Sequence, residues 1–130
     1  MTTAFTAAAT IDRPAAEVWA RLTDWAWIPD VDSVRVSGSE LTFRARGRDR
    51  TGRVEVVEPG RTVVVHSAQG GVTAAYTYTC EPDGGRTHLT VTADCRVTGV
   101  MRPFAGLLRA AIRRADSGQP GALKRVIEGR

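Results

Sequence analysis

Histidine and cysteine are scarce in this chain of 130 residues, with two of each. His66, Cys80, His88 and Cys95 show no metal-ligand spacing, so a zinc or iron–sulfur role is not expected. Two cysteines do not build a disulfide framework either, which places the chain in a reducing compartment, the cytoplasm. Hydrophobic runs are short, and none approaches the length of a membrane span. The opening MTTAFTAAATIDR alternates and is rich in threonine, unlike a charged and then apolar leader. No Ser-His-Asp arrangement or phosphate-binding glycine loop is present, and no cofactor is expected. The net charge of +4 is modest, because basic residues are interspersed with acids and form no block interleaved with aromatics. Nucleic acid is therefore not the expected partner.

What is present is an ordinary globular composition, 42% hydrophobic and 25% charged, in a length that fits one core. A single domain over residues 1–130 is expected. Residues 3–11 alternate Phe5, Ala7, Ala9 and Ile11 against small or polar neighbours, as a half-buried strand does. Asp12 is positioned to cap a helix that Pro14 opens and that carries Val18, Trp19 and Leu22 on one face. Asp24 to Pro29 then reads as a turn or second small helix holding Trp25, Trp27 and Ile28. Asp24 and Asp30 are assigned to helix ends or turns.

From Val31 to Thr98 six strands are separated by the turn signals SGSE, RDRT, EPGR, QGGV and DGGR, an antiparallel meander. A tight loop fixes which residues face each other. Gly38-Ser39 sets Val36 against Leu41 and Val34 against Phe43. Asp49-Arg50 sets Ala45 against Val54, Phe43 against Val56 and, in one discord, Arg46 against Arg53. Pro59-Gly60 sets Glu58 against Arg61, Val56 against Val63 and Val54 against Val65. Gly70-Gly71 sets Val65 against Tyr76 and Val63 against Tyr78. Gly84-Gly85 sets Tyr78 against Val91, Tyr76 against Ala93 and Cys80 against Leu89. The other face stacks Glu81 with His88, Thr79 with Thr90 and Thr77 with Thr92, pairings that cross-strand contacts favour. Both histidines and Asp94 fall on this outer face. Cys95 lies beyond the partner of Cys80 by about 20 Å of strand, too far to bridge.

The last segment opens at Pro103 and repeats Phe104, Leu107, Leu108, Ala111, Ile112 and Ala115 at helical spacing. Ser117 to Gly121 interrupts it at Pro120, yet Leu123, Val126 and Ile127 resume the phase, which predicts one kinked helix.

This order, with DRPAAEVWARLTDW after the first strand, the EPGR turn, the YTCEPDGGRTHLTV hairpin and the LKRVIEG ending, resembles the START-like helix-grip superfamily, in particular its small bacterial polyketide cyclase/dehydrase and lipid-transport branch. The resemblance covers nearly the whole chain. It implies an α+β helix-grip fold: a curved seven-stranded antiparallel sheet around a long C-terminal helix, two short helices after the first strand, and a ligand cavity between sheet and helix.

On that arrangement the inward face presents Phe43, Ala45, Val54, Val56, Val63, Val65, Ser67, Tyr76, Tyr78, Cys80, Leu89, Val91, Ala93 and Cys95, much of it plain core. Small residues at Ala45, Ala74 and Ala93 leave room beneath the helix. Trp25 and Trp27 are assigned to the cavity entrance and Trp19 to the core. The expected binding set is Trp25, Trp27, Phe43, Val65, Ser67, Tyr76, Tyr78, Leu89, Val91, Phe104 and Leu108, with the two tyrosines and Ser67 orienting the guest. Three functions are open: binding of an apolar or aromatic small molecule, polyketide-like or lipid-like; a cyclase or dehydratase acting in the same cavity, where confinement speeds ring closure; and an interaction module using Arg109, Arg113, Arg114, Lys124 and Arg125 on a solvated helix face. Catalytic residues and oligomeric state are left unassigned.

Overall fold

The computed structural model describes residues 2–27, 31–45, 48–69 and 71–129. Ile28, Pro29, Asp30, Arg46 and Gly70 lie outside the described residues. Strands β1 (Thr2–Ile11), β2 (Val31–Ser37), β3 (Glu40–Ala45), β4 (Arg48–Glu58), β5 (Thr62–Gln69), β6 (Val72–Asp83) and β7 (Arg86–Val97) form one antiparallel sheet. Its order, β1-β7-β6-β5-β4-β3-β2, is a meander whose last strand folds back beside the first. Helix α1 (Ala15–Leu22) follows β1. A 3₁₀ turn (Gly99–Phe104), helix α2 (Ala105–Asp116) and helix α3 (Gln119–Glu128) follow β7. This is the seven-stranded helix-grip architecture expected.

The glycine turns set most registers as predicted. Val34 faces Phe43 and Val36 faces Leu41. Val65 faces Tyr76 and Val63 faces Tyr78. Tyr78 faces Val91, Tyr76 faces Ala93, and Glu81, Thr79 and Thr77 face His88, Thr90 and Thr92. At Pro59-Gly60 the Arg61 amide donates to the Glu58 carbonyl at 3.0 Å, and Gly60 takes φ 80°, the left-handed value a type II turn requires. A bulge shifts the pairing so that Glu58 faces Thr62 in place of Arg61.

The β3–β4 hairpin differs from the reading. Ala45 pairs with Arg48, Arg44 with Asp49 and Phe43 with Arg50, so the chain reverses earlier than Asp49-Arg50. Charge explains the choice: this register sets Glu40 opposite Arg53 and Arg44 within 3.7 Å of Asp49, where the expected one opposed two arginines. His66 lies on the outer face, with Nε2 2.9 Å from a Glu55 carboxylate oxygen. Asp94 is also outside and accepts from Thr3 at 2.8 Å. Cys80 and Cys95 are separate, buried thiols.

Two local expectations change around the first helix. Pro14, not Asp12, holds the N-cap position of α1, with no side-chain cap; the Asp12 carboxylate sits 3.5 Å from Arg86 instead. Among the described residues, α1 is also the one helix between β1 and β2, because Asp24 to Trp27 form turns. Asp24 accepts from the Ala26 amide at 2.9 Å, the turn role read for it.

The C-terminal helical segment is interrupted by a turn at Ser117-Gly118, whose backbone angles remain right-handed (φ −65°, ψ −15° and φ −85°, ψ 0°). The expected single kinked helix is thus two helices, α2 and α3, joined by a two-residue turn. Pro120 sits in the first turn of α3, where its missing N–H costs nothing. The two halves seat differently. In α3, Gln119, Pro120, Ala122 and Leu123 are buried, and in α2 no residue is. Lys124, read as part of a solvated face, donates from Nζ to the Thr10 carbonyl at 2.6 Å and to Glu128 at 2.7 Å, tying α3 to β1.

Candidate functional site: a half-open groove beneath the C-terminal helix

Two neighbouring cross-strand rows on the concave face define the site. Val56, Val63, Tyr78, Val91 and Ala7 make one row, and Val54, Val65, Tyr76, Ala93 and Phe5 the next. In the first, Val63, Tyr78 and Val91 are sealed from solvent. In the second, about 7 Å along the strands, Val54, Val65 and Tyr76 are only half-buried. The difference lies in what covers them.

The first row is covered by the tryptophans and α3. Trp25 meets the Tyr78 ring edge-on at 5.4 Å and Trp27 at 6.1 Å. Trp27 donates its indole N–H to the Leu22 carbonyl at 2.9 Å, and the Tyr78 hydroxyl donates to Gln119 Oε1 at 2.8 Å. Trp25 and Trp27 are 1% and 5% exposed, so they plug the closed end and do not form the entrance expected of them. Burial is why. A tryptophan removes roughly 150–250 Å² from water, about 4–6 kcal/mol in gross terms. That outweighs the cost of about 1–2 kcal/mol for holding Trp25 at φ 61°. Trp19, read as core, is half-buried and packs against the core cluster.

Helix α2 packs against β1 and β7, at the Phe5 and Ala93 end of the second row, and carries Leu108 and Ile112, both half-buried. Below the helix, Tyr76 donates its hydroxyl to Asp116 Oδ2 and meets Phe5 edge-on at 6.2 Å. Phe43 is half-buried on the same face. Ser67, further along β5, is half-buried too. Half-buried apolar side chains on the concave face thus stand beside a phenol hydrogen-bonded to a carboxylate.

Burial raises the pKa of both phenols, and Asp116 raises each further. Tyr76 and Tyr78 therefore act as hydrogen-bond donors, not as bases. Burial pushes the Cys80 thiol up to about 11, which makes it a poor nucleophile. Cys95 is raised as well, against an opposing pull from Arg109.

Of the residues proposed from sequence, Phe43, Val65, Ser67, Tyr76 and Leu108 are half-buried. Tyr78, Leu89 and Val91 are fully buried. Phe104 turns to solvent. The reading missed Asp116 and Gln119, the partners of the two tyrosines. Their signal was available: Leu108, Ile112, Asp116, Gln119 and Leu123 recur at four- and three-residue steps, so a carboxylate and an amide occupy the inward stripe.

The family model for polyketide cyclase / dehydrase and lipid transport matches residues 2–128. The chain belongs to this family. No curated protein matches it. Among solved structures, this polyketide cyclase/dehydrase family member superposes on the Zhui aromatase/cyclase from Streptomyces sp. R1128 with TM-score 0.75 at 19% identity, covering 97% of this chain and 93% of that one. A START superfamily protein from Mycobacterium smegmatis gives TM-score 0.74 at 15% identity, with 96% and 97% covered. The di-domain ARO/CYC BexL from the BE-7585A biosynthetic pathway gives TM-score 0.83 at 20% identity; 98% of this chain aligns to 47% of that one. The family member thus matches about half of that protein. At these identities the likeness establishes the fold.

Proposed function

We propose that the chain binds an apolar or aromatic small molecule, polyketide-like or lipid-like, in the groove between the sheet and α2. The observation that carries this is that Val54, Val65 and Tyr76 stay half-buried while their row neighbours Val63, Tyr78 and Val91 are sealed, and that α2 has no buried residue. A core that needed only stability would seat α2 as it seats α3. In this reading Val54, Val65 and Phe43, half-buried on the sheet, form the floor, and Leu108 and Ile112, half-buried on α2, form the roof. Tyr76, Asp116 and Ser67 orient the polar end of the guest, so affinity comes from area and orientation from a few hydrogen bonds. The same reading assigns the chain to the cytoplasm as a single ligand-binding domain, supported by its two separate thiols.

Native mass spectrometry after gentle purification tests it. A co-purified apolar compound, or a mass shift with a library of aromatic and acyl compounds, is expected; a chain that never retains or takes up such a compound refutes the reading.

The Tyr76–Asp116 contact favours a second reading, cyclase or dehydratase chemistry on a bound reactive chain. Here Asp116 takes a proton and Tyr76 donates a hydrogen bond to the developing oxyanion. Tyr76→Phe and Asp116→Asn separate the two. A binder loses about 1 kcal/mol of affinity, whereas an enzyme loses about 10²-fold or more in kcat.

A further inference from the structure

The segment GVMRPFAGLLRAAIRRA, residues 99–115, carries a second apolar stripe that the groove does not use. Leu108 and Ile112 are half-buried, but Leu107 and Ala111, four residues apart on α2, are exposed, as are Val100 and Phe104 on the 3₁₀ turn before it. This stripe is in water: Val100 is 89%, Leu107 71% and Phe104 52% exposed. Over the same residues stand Arg102, Arg109, Arg113 and Arg114, with no acid among them. Arg102, Arg113 and Arg114 are exposed, although Arg113 also donates to the Ala4 carbonyl at 3.2 Å.

From this geometry we infer that the Gly99–Ala115 segment docks on an anionic lipid bilayer, with Val100, Phe104 and Leu107 entering the headgroup–acyl boundary and the arginines meeting lipid phosphates. Exposed apolar side chains on a cationic helical segment are what an interfacial anchor requires. Area and charge decide against the other occupants. A stable protein partner covers roughly 800 Å² of each surface, far more than three side chains present, whereas a bilayer takes up protruding side chains singly and needs no matching pocket. A second copy on the same stripe would press two arginine-rich segments together. The inference does not depend on the groove holding a guest, and vesicle binding is measured without one.

The test is flotation of the full chain with phosphatidylcholine vesicles, with and without phosphatidylglycerol. Expected are binding to the anionic vesicles only, its loss at high salt, and a drop of about tenfold or more for Val100→Asp with Leu107→Asp. Arg102→Glu with Arg114→Glu should abolish the preference for anionic lipid. Arg35→Glu with Arg96→Glu, the same charge change elsewhere on the surface, should weaken binding far less. Circular dichroism confirms that each variant is folded. Failure of the unmodified chain to float with anionic vesicles overturns the inference on its own. So does binding that survives the two aspartates, or a dimer in sedimentation equilibrium that those aspartates dissolve.

Discussion

The Tyr78–Gln119 hydrogen bond joins β6 to α3 at 2.8 Å, with both residues buried, and its removal has a calculable signature. Tyr78→Phe leaves the Gln119 carbonyl oxygen unpaired in a dry site, and Gln119→Leu does the same to the phenol. Each should cost about 1–3 kcal/mol, the penalty for stranding a buried polar group. In the double variant nothing polar is stranded and shape is nearly kept. Its cost should fall well short of the sum, by an interaction energy of about 1–2 kcal/mol. For a chain of this size each kcal/mol moves the midpoint by about 4 °C, so the single variants should melt about 4–12 °C lower. Urea and thermal unfolding followed by tryptophan fluorescence provide the readout, because Trp25 and Trp27 both sit against Tyr78. Strictly additive losses, or single variants that cost less than about 0.5 kcal/mol, would refute the reasoning that this bond spans a sealed interface.

Three further outcomes follow from the same coordinates. Burial raises the pKa of the thiol of Cys80 from 9.0 to about 11 and that of the phenol of Tyr78 above its ordinary 10.0. The folded chain therefore keeps protons that the unfolded chain releases, so stability is complete below pH 9 and falls as pH rises, first through Cys80 and then through Tyr78. The slope approaches about 1.4 kcal/mol per pH unit for each group. Urea midpoints measured across alkaline pH check this, and Tyr78→Phe should show a shallower fall above pH 10. Trp25→Ala should cost about 3–5 kcal/mol in urea unfolding despite its unfavourable φ, since the lost packing exceeds the relieved strain. Gly71→Ala forces a Cβ to 2.9 Å from the Thr98 carbonyl at φ 81° and should destabilise by about 2 kcal/mol or more, whereas Gly85→Ala meets open space and should be nearly neutral in the same assay.

Much of the sheet was legible because two-residue glycine turns leave little freedom. Gly84-Gly85 alone fixed the pairing of Tyr76, Tyr78 and Cys80 with their neighbours. The β3–β4 hairpin was not, since RGRDR offers several polar turn positions of similar quality and local propensity does not choose among them. The opposed arginines of the expected register were the warning, and cross-strand charge resolved it. The tyrosines could be placed on the concave face by alternation, but their partners could not be named from strands. Asp116 and Gln119 flank the interruption around Gly118 and were absorbed into a helix break, although they share the inward stripe with Leu108, Ile112 and Leu123. The tryptophans show the limit of reading by element: a turn adjacent to α1 looked like a surface loop, and its burial depends on the distant hydrogen-bonded pair it covers.

The turn at Ser117-Gly118 divides responsibilities along the C-terminal helical segment. One half is locked by its lysine to β1, and the other is held by backbone bonding between Thr98 and Gly71 at its start and by Asp116 near its end. Between those ends the span is tied by Arg113 to the Ala4 carbonyl and by Ile112 to the core, and it buries no residue completely. Under the proposed binding function, exchanging the side chains of this span would alter guest selection while α3 kept its seat on the sheet.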